Sequence, residues 1–201
     1  MKEKLDLKKQ CKNLYKPVKD QIISVDVPPF NYLMVDGQGD PNTAPAFKYA
    51  VEALFSLSYK IMFSLKSKGY LYSVMPLEGL WWALDQKAFM QGDRAQWLWT
   101  AMILQPDFVT ESMVEDAKIH LQKKGLAALK LVRFEKFCEG PSMQFLHIGP
   151  YSEEGPAIHR MHSLIQDSGH QLRGKHHEIY LSDSRRTVPE KLKTIVRQPY
   201  S

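Results

Sequence analysis

The chain has 201 residues, of which 44% are hydrophobic and 24% charged. That balance suits one large globular domain or two small fused ones and excludes a disordered or fibrous chain. The net charge of +5, from 27 Lys+Arg against 22 Asp+Glu, is spread too evenly for the concentrated basic face of a nucleic-acid binder, so no direct nucleic-acid contact is expected.

Residues 1–21 are polar with scattered Leu, Tyr and Val and read as a short helix or an arm. The charged start Met1-Lys2-Glu3-Lys4 has no apolar stretch behind it and is not expected to be a secretory signal. Asn31–Val35 reads as a strand and Asp36–Pro41 as a turn. A helix follows, with Thr43 as N-cap, Pro45 in its first turn and Phe47, Ala50, Val51, Leu54, Ile61 and Leu65 near helical spacing; Gly69 ends it. Tyr70–Met75 looks extended, Leu77–Leu84 a strand, Asp85–Arg94 a connection, and Gln96–Gln105 a strand pairing antiparallel with the one before.

Thr110–Lys124 reads as a helix stopped by Gly125. Leu131–Phe137 and Met143–Ile148 are strands that Glu139-Gly-Pro-Ser142 would join as a hairpin. Ser152 caps a further helix, whose first turn holds Glu153 and Glu154, favoured there by the helix dipole. Lys175–Leu181 is a strand, and Thr187-Val-Pro-Glu190 is a capping box expected to open a C-terminal helix. Mixed order with antiparallel neighbours predicts an α+β fold rather than a doubly wound parallel sheet. No run of about eighteen apolar residues predicts a membrane span. Two cysteines, Cys11 and Cys138, with no zinc-like Cys/His spacing point to a reduced cytoplasmic protein, and nothing calls for a metal or a cofactor.

The two halves echo each other. Tyr32–Val35, Gly37, a turn, a helix and a strand with Glu78 are matched by Gln144–Ile148, Gly149, a turn, a helix and a strand with Glu178. This predicts a tandem duplication of strand–helix–strand–strand modules, over about 22–105 and 126–199, linked by the helix 110–124. Two such modules would join their sheets around a central cleft, each giving one glutamate from the same point of its strand.

Alternation puts Glu78 on one face with Leu80 and Trp82, and Glu178 with His176 and Tyr180. A carboxylate on an aromatic face must be paired, protonated or wet. The alternative is a pair of surface glutamates on the solvent side of a sheet. All four Trp lie between Trp81 and Trp99, and such crowding lines a core or a pocket for a flat, apolar ligand. The candidate catalytic residues are Glu178, Tyr180 and Glu78. The candidate ligand-binding residues are Tyr72, Trp82, Trp97, Trp99 and His147.

Gln144-Phe-Leu-His-Ile-Gly-Pro-Tyr151 with Glu153-Glu154, and His177-Glu-Ile-Tyr-Leu-Ser-Asp183, resemble the second-half signature of GyrI-like small-molecule-binding domains. Arg185–Thr194, Arg197-Gln-Pro199 and Pro76–Trp82 look like the stand-alone branch of that family. The resemblance spans about 22–199. It implies a tandem repeat around a cleft that binds bulky planar hydrophobic or cationic small molecules, with the cleft glutamate falling on Glu178. For some stand-alone members it implies hydrolysis of cyclopropane-bearing genotoxins, a detoxifying reaction in which the glutamate activates water. Alternatives are a non-catalytic drug-sensing or sequestering protein and a gyrase-inhibitor-like interaction protein. A monomer or a homodimer fits equally, and no helix-turn-helix precedes the first strand.

Overall fold

The structure is a computed structural model that describes residues 4–84 and 94–201. Residues 85–93 of the expected Asp85–Arg94 connection lie outside the described residues. Two single-turn helices, α1 (Leu7–Gln10) and α2 (Lys12–Tyr15), open the chain. Then come β1 (Ile23–Val27), β2 (Phe30–Gln38), α3 (Pro45–Ser67), β3 (Glu78–Trp82) and β4 (Leu98–Gln105). After α4 (Glu111–Leu121) the pattern returns as β5 (Arg133–Phe137), β6 (Gly140–Ile148), α5 (Gly155–Asp167), β7 (His176–Tyr180) and β8 (Lys193–Pro199).

The chain divides into two compact units, one of Met1–Gln10 with Phe30–Phe137 and one of Cys11–Pro29 with Cys138–Ser201. In the first unit the strand order is β3-β4-β2-β5 and in the second β1-β6-β8-β7, all antiparallel. This is the expected α+β class. Each unit takes one edge strand from the other half of the sequence: β1 pairs with β6, and β5 with β2.

The helices form where periodicity placed them. In α3 the buried positions Ala50, Ala53, Leu54, Leu57, Ile61 and Leu65 make one stripe, which packs on β2 and β4. Pro45 sits at its first position, where the missing N–H costs no hydrogen bond. Its N-cap is Ala44, not the expected Thr43. Thr110 caps α4, its hydroxyl accepting from the Met113 N–H at 3.4 Å, and Gly125 closes the segment in the left-handed region at φ 63°.

Two expected elements do not form. The hairpin across Glu139–Ser142 does not form, because β5 pairs with β2 while β6 lies between β1 and β8. Gly140 does turn the chain, at φ 70°, but the turn carries it onward instead of back along β5. The C-terminal helix is also absent: Pro189–Lys191 is one 3₁₀ turn, and Lys193–Pro199 is the inner strand β8. The β-branched run Thr194-Ile195-Val196 is buried on both faces, which suits a central strand better than a helix with only one covered side.

Candidate functional site

Register decides which side chains share a face. In the second unit Met161 and Ile165 of α5 pack on Phe145 and Val196. Val196 lies opposite both Phe145 and Glu178, so Glu178 points to the helix-covered side of this sheet. One row along, Thr194 lies opposite His147 and Tyr180, and those three share that face too.

Glu178 is 16% exposed at its side chain, neither sealed nor turned to bulk solvent. The Tyr180 hydroxyl donates to its Oε2 at 2.8 Å, and His176 Nε2 lies 3.3 Å from its Oε1. Tyr151 meets Tyr180 edge-on, with ring centroids 5.8 Å apart and planes at 84°. A carboxylate with a partner on each oxygen, beside two phenol rings, can hold a cation or take a proton from water.

A second acid completes the arrangement. Glu154 is the N-cap residue of α5 and is 3% exposed. Its Oε1 has no hydrogen-bond partner among the described residues. Burial and then the nearby charge of Glu178 push its carboxyl up to about 9, although the Thr194 hydroxyl pulls the other way. The Tyr151 phenol is raised as well, by burial first and then by Glu178. His162 of α5 is lowered by burial, by His176 and by His159, and so stays neutral at pH 7. Sequence reasoning missed Glu154. It read Ser152 as the cap and both acids as first-turn residues favoured by the dipole, whereas the helix starts at Gly155 and Glu154 is buried as its N-cap. The one signal available was its place after Gly149-Pro-Tyr151 in the family-like stretch.

The opposite face of the same sheet holds a sealed ionic network. Glu139 receives Arg197 Nη1 at 2.9 Å, and His177 Nδ1 lies 2.9 Å from its Oε1. Arg197 also donates to Gln144 Oε1 at 3.0 Å and to the Leu14 carbonyl at 3.2 Å. Burial works against charge on Glu139, yet His177 and Arg197 hold its carboxyl down at about 2. This network ties β6, β7 and β8 together behind Glu178.

In the first unit the equivalent positions are apolar. Adding 110 maps Val27 to Phe137, Phe30 to Gly140, Gly39 to Gly149, and the N-cap Ala44 to Glu154. Following the pairings Val35–Ala101–Gly79 and Phe145–Val196–Glu178, the counterpart of Glu178 is Gly79 and that of Glu78 is His177. The expected equivalence of the two glutamates is therefore wrong by one residue. In a strand, one residue is the difference between faces.

Glu78 lies on the face away from α3, wholly buried, with the Tyr32 hydroxyl 3.4 Å from its Oε2. Trp81 and Trp99 stand where the second unit has Tyr180 and Thr194. They pack on Phe47 of α3 at 5.5 and 5.0 Å. Trp99, expected to bind ligand, is 1% exposed and packs in the core of this unit. Trp97 also sits on the α3 side, 5.8 Å from Trp81 and under the Arg94 guanidinium. Trp82 is half-buried on the Glu78 face. Tyr72 is buried edge-on to Phe108 at 5.7 Å, and burial raises its phenol pKa. His147 is half-buried, with Nε2 3.0 Å from the Pro150 carbonyl oxygen.

Fold and site together define a duplicated α+β protein in which one module carries an acid–phenol site and the other fills the same space with tryptophan. The chain belongs to the GyrI-like small molecule binding domain family, whose model matches residues 20–200. It is 41% identical to an uncharacterized conserved protein from Listeria innocua, with a TM-score of 0.90 over 98% of this chain and all of that one. A Listeria innocua structure described as a hydrolase is 40% identical, with a TM-score of 0.86 over the same shares. The C-terminal domain of EcmrR shares the fold alone, at 10% identity and a TM-score of 0.56, over 90% of this chain and 97% of that domain. No curated protein matches the chain. Among the described residues no helix is long and apolar enough to cross a membrane.

Proposed function

We propose that this protein is a hydrolase that opens the strained ring of bulky, planar, cyclopropane-bearing electrophiles, with Glu178 as the general base. The observation that carries this reading is Glu178 itself: a half-buried carboxylate, partnered on both oxygens by Tyr180 and His176, among phenol rings. The Listeria innocua structure described as a hydrolase supports it from outside the chain. Glu178 draws a proton from water, the water attacks a ring carbon, and Tyr180 or Tyr151 donates to the oxygen that gains charge. Flat apolar area removed from water supplies the binding energy, at roughly 25 cal/mol per Å² before the costs of association.

The test is incubation of the purified protein with a planar cyclopropane electrophile, followed by mass spectrometry for the water adduct. Glu178→Gln is expected to slow ring opening by about 10²–10⁴-fold, the usual share of a general base. Turnover no faster than buffer, or full turnover by Glu178→Gln, overturns the reading.

A second reading, binding without turnover, is favoured by the family's small-molecule-binding character and by the anionic site among aromatic rings. It requires that lipophilic aromatic cations bind the wild type, and Glu178→Gln weakly, with no chemical change in the ligand.

A further inference from the structure

We propose that the buried row Gln144–Arg197–His177, closed by Glu139, is the device that positions Glu178, and that His177 is the residue through which it acts. This rests on the hydrolytic reading above and deepens it. Gln144 of β6, Arg197 of β8 and His177 of β7 stand opposite one another across three strands. The next row holds Phe145, Val196 and Glu178, whose side chains point to the other face. The anchored His177 is therefore the chain neighbour of the base. Gln144, His177 and Arg197 are at most 1% exposed and Glu139 is 3% exposed, so water does not loosen the row.

Burial notwithstanding, His177 and Arg197 keep Glu139 a carboxylate. A carboxylate only accepts, so His177 Nδ1 carries the hydrogen and faces both oxygens, at 2.9 and 3.0 Å. Arg197 donates from Nη1 to Glu139 at 2.9 Å, from Nε to Gln144 at 3.0 Å and from Nη2 to the Leu14 carbonyl at 3.2 Å. Its planar fork thus ties the row to β6 and to the α2 segment at fixed angles. Arg173, which precedes β7, donates to the Glu139 carbonyl oxygen. The β7–β8 pairing spans only His177–Tyr180, and a ladder that short gains from an anchor on the face away from Glu178.

Stability does not call for this row. Well-packed apolar residues of similar volume often match or better a buried ion pair. The first unit makes that replacement: its corresponding row is Met34, Met102 and Glu78, with methionine in place of Gln144 and Arg197. There the position matching Glu178 is Gly79, and no base stands in the next row. The guanidinium fork and the base occur together in one module and are absent together from the other. A general base has to be held within about 0.5 Å of its productive place, and a shift of about 1 Å can cost on the order of 10²-fold in rate. Charge-assisted hydrogen bonds at fixed angles supply that restraint, whereas the flexible side chain of methionine does not.

The experiment compares wild type, His177→Leu, His177→Asn and Arg197→Lys. Ring opening of a planar aryl ketone bearing an electrophilic cyclopropane gives kcat and KM. Fluorine NMR of ligand-free protein labelled with 3-fluorotyrosine reads the Tyr180–Glu178 hydrogen bond without turnover, the Tyr180 signal being assigned with Tyr180→Phe. Asn offers Glu139 an amide N–H near the place of Nδ1, and Leu offers none. His177→Leu is expected to lose about 10²-fold in kcat with KM nearly unchanged, and to shift the Tyr180 signal. His177→Asn should restore both. Where His177→Leu does not fold, Arg197→Lys carries the test: it keeps a charge beside Glu139 without the fork, and should show the same loss and shift. Wild-type kcat, an unmoved Tyr180 signal, or equal losses in His177→Leu and His177→Asn overturn the positioning role while hydrolysis by Glu178 stands. Absence of ring opening by wild type overturns the hydrolytic reading, and the Tyr180 signal alone then decides whether the row places Glu178.

Discussion

At the scale of the residue, Glu154 and Glu139 are buried acids with opposite consequences for stability. The Glu154 carboxyl lies at about 9 in the fold against an ordinary 4.5, so its contribution is present below pH 4.5 and lost as pH rises toward 9. At pH 7 that loss is on the order of 3–4 kcal/mol, from 2.5 pH units at about 1.4 kcal/mol each. Glu154→Gln should therefore melt higher than wild type at pH 8 and equally at pH 4; equal melting at both would mean Glu154 is not desolvated. Glu139, held at about 2 by His177 and Arg197 in spite of burial, contributes above pH 4.5 and loses that as pH falls toward 2. Replacing it with Ala strands the Arg197 guanidinium, which is 1% exposed, and should cost about 3–5 kcal/mol in urea unfolding at pH 7.

At the scale of the element, two glycines show how the first unit packs its indoles. A Cβ on Gly37 would stand 2.3 Å from the Trp99 ring, and one on Gly79 2.7 Å from the Trp81 ring. Gly37→Ala should cost about 1–3 kcal/mol by overpacking. The double variant Gly37→Ala/Trp99→Leu should cost less than the sum of its singles, because both changes act on one space. Additive costs from denaturant melts would place the two residues in separate packing sites. The helix α4 depends on its cap, and Thr110→Ala should cost about 1 kcal/mol in the same assay. The helices α3, α4 and α5 were legible from their apolar stripes, and β2, β3 and β4 as short apolar runs between turn signals, although β4 is buried on both sides. β8 was not, because the capping-box pattern Thr187-Val-Pro-Glu190 just before it signals a helix start, and that turn closes as a single 3₁₀ turn instead.

At the scale of the whole molecule, the exchanged edge strands make the units interdependent in sequence. Residues 11–29 bring Leu14, Tyr15, Val25 and Val27 into the core of the second unit, and the Leu14 carbonyl receives Arg197. Deleting residues 1–29 should therefore collapse the amide dispersion of residues 138–201 in an NMR spectrum. Adding back a peptide of residues 11–29 should restore part of it. Native dispersion in the truncated chain would show that β1 is dispensable.

From its own pattern the chain determined the α+β class and the duplicated order of strands and helices, since these follow from periodicity and local motif. It left undetermined which face each strand turns to its helix, and there the tertiary structure decided. Glu78 and Glu178 look equivalent along the chain, yet cross-strand register sets them one position apart, and the two-residue period of a strand turns that single step into opposite faces. Glu154 was hidden for a related reason: whether an acid at a helix start faces water or the sheet depends on the turn where the helix begins, and packing of α5 on Phe145 and Val196 sets that turn.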